Sequence, residues 1–133
     1  MTKQSKTTIC VIDDDESVRR ALLRLLKSAG YSVKAHASAR AFLDCEICGS
    51  CLLILDIQMP EIDGFELAGI LSESGSKFPI IFITAQENPQ LREKAMNSGA
   101  FAFLQKPFNG QELLDAVQRW ISGIGLRPGS ASA

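Results

Sequence analysis

The chain has 133 residues, 46% of them apolar and 22% charged, with a formal net charge of −1. That is enough apolar chain for one domain with one core, and it leaves no positive field for nucleic acid or an anionic membrane surface. No apolar run approaches the roughly 18–20 residues of a membrane span, and no apolar signal region follows the N-terminal MTKQSKTT.

Thr8 to Asp13 is a β-branched apolar run that predicts a buried strand. Val18, Ala21, Leu22, Leu25, Leu26 and Ala29 then fall on one stripe of an amphipathic helix, closed by Gly30. Tyr31 to Ala37 alternates like a strand, and Ser38 offers an N-cap for a short helix through Phe42 and Leu43. Cys51 to Asp56 is a second fully apolar strand ending on an aspartate. Met59-Pro60 and Asp63-Gly64 mark a loop before a helix over Phe65 to Ser74. Phe78 to Thr84 is an apolar strand with its proline near the start. Asn88-Pro89 opens a helix to Ser98 and Gly99. Ala100 to Gln105 is the last strand. Asn109 and Glu112 form a variant capping box for a final helix carrying Leu113, Leu114, Val117, Trp120 and Ile121. The expected domain is residues 7–122, and GIGLRPGSASA, residues 123–133, reads as a flexible tail or linker stub.

Five strands alternating with five helices predict an α/β fold, an open doubly wound parallel sheet whose ligands gather outside the strands' carboxyl ends. Asp13-Asp14, Asp56, Thr84 and Lys106 all stand at such ends, so three carboxylates, a hydroxyl and an ammonium are expected to converge on one rim. Three clustered carboxylates raise one another's pKa unless a cation joins them. With no histidine or cysteine in the set, the expected ion is Mg²⁺, with Mn²⁺ as an alternative. A cation and a lysine facing one another can clamp a phosphoryl group, and a carboxylate between them can accept it. Asp56, alone on its strand, is the natural acceptor.

In that order, VIDDDES, LLILDIQMPEIDGFEL, FITA and LQKPF resemble the receiver domain of two-component response regulators, over about residues 7–122. Residues 31–43 and LLILDIQMP look most like FixJ-type receivers from regulators with a LuxR-type DNA-binding domain. The resemblance implies a flavodoxin-like, CheY-like strand order 2-1-3-4-5. It implies that a sensor histidine kinase or a phosphotransfer protein delivers a phosphoryl group to Asp56. Asp14 and Asp56 would ligate Mg²⁺ directly, with the Gln58 backbone carbonyl, while Asp13 would act through a metal-bound water. Thr84 and Lys106 would bind phosphoryl oxygens, and Phe103 occupies the aromatic switch position. The Lys106-Pro107 bond is expected to be cis. The fourth helix, fifth strand and fifth helix would then change shape, pairing a second receiver as a phosphorylation-dependent homodimer and altering transcription. Asp15 and Glu16 are left as negative charge at a helix start. Gln58 and Gln86 flank the phosphoryl site.

Two rival readings come from the same residues. Cys45, Cys48 and Cys51 have the spacing of zinc or iron–sulfur ligands, but Cys10 and His36 lie on other strands, so a loop with incidental thiols is the expectation. His36 is expected far from the carboxyl rim, as packing or surface. An aspartyl-nucleophile phosphatase needs an acid/base two residues beyond its nucleophile, where this chain has Gln58. Cysteine usage points to the cytoplasm. Binding of nucleic acid or membrane by these residues themselves is not expected. The chain reads either as a receiver from a longer transcription regulator or as one acting alone through contacts.

Overall fold

A computed structural model of the protein describes residues 7–45, 50–76, 78–86 and 88–124. It contains β1 (Thr7–Ile12), α1 (Glu16–Ser28), β2 (Ser32–His36), α2 (Ala39–Leu43), β3 (Ser50–Asp56), α3 (Gly64–Glu73), β4 (Ile80–Thr84), α4 (Pro89–Asn97), β5 (Ala102–Gln105) and α5 (Gly110–Ile124). The strands form one parallel sheet in the order β2-β1-β3-β4-β5. Fold and strand order are those the sequence led us to expect.

The sheet is covered on both faces because its central strands are apolar in both directions. Leu53 and Leu55 of β3 face one way with Ile12 and Phe82, against Phe42 of α2, Leu67 of α3 and Ala95 of α4. Leu52 and Ile54 face the other way with Ile9 and Ile83, against Leu22 and Leu26 of α1 and Val117 of α5. All four β3 residues from Leu52 to Leu55 are fully buried. Each contributes about 1.5–3 kcal/mol relative to exposure, so β3 is the strand least able to move.

The helix starts follow the sequence signals. Asp15 caps α1, accepting from the Ser17 and Val18 N–H groups, and Glu16 sits in the first turn. Ser38 caps α2 and Asn88 caps α4. Asn109 and Glu112 exchange the two bonds of a capping box. Asp63 and Glu66 make a second, at the start of α3, which begins at Gly64 instead of Phe65. At the other end of α1, Gly30 takes φ 94° while the Tyr31 N–H reaches back to the Leu26 carbonyl, a turn that strains any side chain with a Cβ.

Other boundaries also differ from expectation. β4 begins at Ile80, because the Pro79 carbonyl is already accepting from the Leu53 N–H while its own nitrogen has no hydrogen to donate. β5 begins at Ala102, after Gly99 and Ala100 have turned the chain. α5 continues through Ile124, so Gly123 and Ile124 are helical and not tail; residues 125–133 lie outside the described residues. Among the described residues, no helix is long and apolar enough to cross a membrane.

Candidate functional site

Parallel pairing puts the strands' carboxyl ends on one rim. Ile12 is level with Leu55, and Asp56 with Ile83, so the residues just beyond them share an edge. Asp13, Asp14 and Asp56 each bring a carboxylate oxygen within 4.8 Å of the others. Asp13 and Asp56 are buried, whereas Asp14 is exposed. Lys106, the residue after β5, places Nζ 2.9 Å from Asp13 Oδ2 and 3.7 Å from Asp56 Oδ1. Asp13 also accepts from the Asp15 N–H, and Arg19 donates to its main-chain carbonyl at 2.8 Å. The Lys106–Pro107 bond is cis, as expected.

Thr84 is fully buried at the end of β4. Its hydroxyl donates to the Gln58 side-chain oxygen and accepts from the Gln86 N–H at 3.1 Å. The resemblance implied a role for Gln58 through its backbone carbonyl; the bond from Thr84 to its side chain was not foreseen, since local patterning does not say which side chains meet across two loops. Phe103 of β5 is buried beneath Arg92 of α4, whose guanidinium carbon lies 4.8 Å from the ring centroid. Arg92 had given no signal in the sequence.

His36 requires a correction. It is the last residue of β2, paired with Ile12, and its carbonyl accepts from the Asp13 N–H, so its backbone is at the rim. Its ring meets Phe42 edge-on, with centroids 5.4 Å apart. The packing role stands, but the position does not. Cys10 lies on β1, as expected, yet its Sγ is 3.0 Å from that of Cys51 on β3. Cys48 lies outside the described residues.

The donor set fits a hard divalent cation. Every donor is an oxygen, one carboxylate faces solvent, and the Lys106 ammonium lies against the two buried ones. Mg²⁺ prefers that combination because it keeps several of its own waters. Burial, with the Asp13 charge beside it, pushes the Asp56 carboxyl up to about 7; Lys106 opposes the rise, Asp14 adds to it, and the Gln58 N–H opposes it.

The sign of the resulting pH dependence is fixed. Between about pH 4 and 7 the folded protein holds a proton on Asp56 that the unfolded chain has released, so stability falls as pH rises through this window. Asp56→Asn removes that loss. With divalent cations chelated, the variant is expected to exceed the wild type by about 1–2 kcal/mol at pH 8 and to match it near pH 4. Urea denaturation at the two pH values measures the difference.

Comparison with known proteins finds relatives over most of the chain. Residues 9–118 match the family model described as the response regulator receiver domain. The transcriptional regulatory protein TdiR of Thauera aromatica is 45% identical over 112 residues, covering 84% of this chain and 49% of TdiR. The chain thus spans about half the length of the curated relatives it matches, including the transcriptional regulatory protein FixJ of Azorhizobium caulinodans, 39% identical over 109 residues covering 81% of this chain and 52% of FixJ. Among solved structures, the response regulator StyR superposes with a TM-score of 0.81 at 41% identity, over 88% of this chain and 60% of that one.

Proposed function

The chain belongs to the response regulator receiver domain family, and from that premise we propose that Asp56 accepts a phosphoryl group from a phosphohistidine. The observation that carries the reading is the convergence of Asp13, Asp14, Asp56 and Lys106 on the rim beside a buried threonine hydroxyl.

Asp56 Oδ attacks phosphorus as the P–N bond to the donor imidazole breaks, and the departing ring nitrogen keeps the electron pair. Lys106, already against both buried carboxylates, moves its charge onto the incoming phosphoryl oxygens. Asp13, Asp14, Asp56 and the Gln58 backbone carbonyl would hold Mg²⁺, or Mn²⁺ in its place. When bound, the ion supplies positive charge against both the carboxylates and the transferred group. Lysine and metal together keep Asp56 ionised at neutral pH, where burial and its acidic neighbours would otherwise leave it partly protonated. The chain acts as a phosphoacceptor that catalyses only its own phosphorylation and dephosphorylation.

Thr84 must leave Gln58 to reach a phosphoryl oxygen, and Phe103 lies on the next strand under Arg92, so the displacement passes to α4, β5 and α5. Met96 of α4 is 44% exposed, an apolar residue available to a second receiver on that face. A sensor histidine kinase or phosphotransfer protein is the expected donor. An apolar cleft of about 540 Å³ beside Lys106, lined by Val18, Ala21, Leu22, Pro107 and Phe108, offers it a docking surface. We place the protein in the cytoplasm and its output in transcription, the role that TdiR and FixJ carry in their names.

Fluorine NMR with Mg²⁺ and beryllofluoride, a mimic of the acyl phosphate, tests the reading. The wild type is expected to show a bound signal that needs Mg²⁺ and is lost in Asp56→Asn, with light scattering reporting a dimer. A folded wild type that shows no bound signal would overturn it.

A further inference from the structure

The chain's cysteines have no part in the phosphoryl chemistry, and the three that are described do not scatter. Cys10 of β1 and Cys51 of β3 are buried on the same face of the sheet. Cys51 pairs with Thr8, so Cys10 stands two positions further along the neighbouring strand and the thiols meet on the diagonal, Sγ to Sγ at 3.0 Å. Cys45, two residues past the end of α2, is half-buried.

The surroundings divide the pair chemically. The Cys51 S–H bond favours a thiolate at Cys10, burial opposes it, and His36 and Lys34 favour it, bringing Cys10 down to about 5. The same bond and burial push Cys51 up. The His36 imidazole lies beside Cys10 and favours its thiolate by hydrogen bonding and by charge. Two thiols in contact beside an imidazole, with Cys10 the one drawn toward its thiolate, are the arrangement of an attacking and a resolving cysteine.

We propose that Cys10 and Cys51 form a reversible oxidation site, in which a hydroperoxide such as hydrogen peroxide converts the two thiols to a disulfide joining β1 to β3. Cys10 sulfur attacks the peroxide oxygen, the O–O bond breaks, and hydroxide leaves to take up a proton as water. The resulting Cys10 sulfenic acid is attacked by Cys51 sulfur, the S–O bond breaks, and a second water departs. The balance is two thiols and one peroxide giving one disulfide and two waters. A disulfide needs an S–S distance of about 2 Å, so the sulfurs approach by roughly 1 Å, through side-chain rotation and a small shift of β1 toward β3. β2, the partly exposed edge strand, lies on the Cys10 side, and its local opening admits a molecule scarcely larger than water. The link would clamp the two strands that present Asp13, Asp14 and Asp56. It does not depend on the phosphoryl reading.

The test oxidises the folded wild type with hydrogen peroxide, blocks remaining thiols and maps peptides without reduction. The expected product links the Cys10 and Cys51 peptides in most chains, is reversed by dithiothreitol, and forms equally in Cys45→Ser/Cys48→Ser. In folded Cys51→Ala, dimedone is expected to trap a sulfenic acid on Cys10. Recovery of Cys10 and Cys51 as free thiols, while Cys45 or Cys48 is oxidised, would overturn the proposal. So would a link from Cys10 to Cys45 or Cys48.

Discussion

Gly64→Ala is expected to destabilise the protein by about 3 kcal/mol and to move the acceptor carboxylate with it. A Cβ at this position would lie 2.6 Å from the Asp56 carbonyl oxygen and 2.9 Å from Ile57 Cα, distances real Cβ atoms essentially never show. Both obstacles are backbone, so no rotamer change relieves the clash. The Gly64 N–H also holds the Ile57 carbonyl at 2.9 Å, which pins the start of α3 to the end of β3. The glycine is needed for close approach; its φ is not in the left-handed region. Gly69, in the same helix, has open space where its Cβ would stand. Gly69→Ala is therefore expected to stabilise by about 0.5–1 kcal/mol. Urea denaturation of the two variants should give opposite signs, and equal small effects would contradict the account of β3 as the rigid base of the site.

Lys106→Met is expected to slow phosphoryl acceptance by about a hundredfold or more while tightening Mg²⁺ binding roughly tenfold. The lysine touches both buried carboxylates, and its side chain is 19% exposed against 0% for that of Asp13. Burial works against its charge, but the Asp13 hydrogen bond and the Asp56 and Asp13 charges outweigh burial, and its pKa is raised. A raised lysine pKa contributes stability that is fully present at neutral pH and lost only as pH rises past the lysine's ordinary value. Methionine fills similar volume but leaves the acids uncompensated. The variant should lose about 3 kcal/mol in chelator at pH 8 and recover much of it when Mg²⁺ is added. Rates with acetyl phosphate and Mg²⁺ titration by calorimetry separate the effects. Weaker Mg²⁺ binding in a folded variant would show that Lys106 supports the ion instead of competing with it.

Much of this site was legible because strand ends are. A buried strand announces itself by an unbroken apolar run, and the polar residue that stops it is visible in the same glance, so Asp13, Asp56 and Thr84 could be placed on one rim without coordinates. Caps written with Ser, Asp or Asn were equally plain. What stayed hidden depends on register between segments distant in sequence. Cys10 and Cys51 meet because Cys51 pairs with Thr8 and not with Thr7, and nothing local to either strand encodes that offset. The Gln58–Thr84 bond and the approach of Gly64 to Asp56 likewise require knowing how two loops fold over one edge. His36 was misplaced although the strand expected to end at Ala37 already set it one residue from a carboxyl end; the structure makes it the last residue of β2.

The claim on which the rest depends is that Asp56 is the carboxylate that becomes phosphorylated. The direct measurement is to phosphorylate the protein with acetyl phosphate and Mg²⁺, reduce the acyl phosphate with borohydride, which converts an aspartyl phosphate to homoserine, and map the peptides by mass spectrometry. The account predicts homoserine at position 56 alone, dependent on Mg²⁺. Homoserine at Asp13 or Asp14, or labelling of Asp56→Asn as efficiently as the wild type, would contradict it.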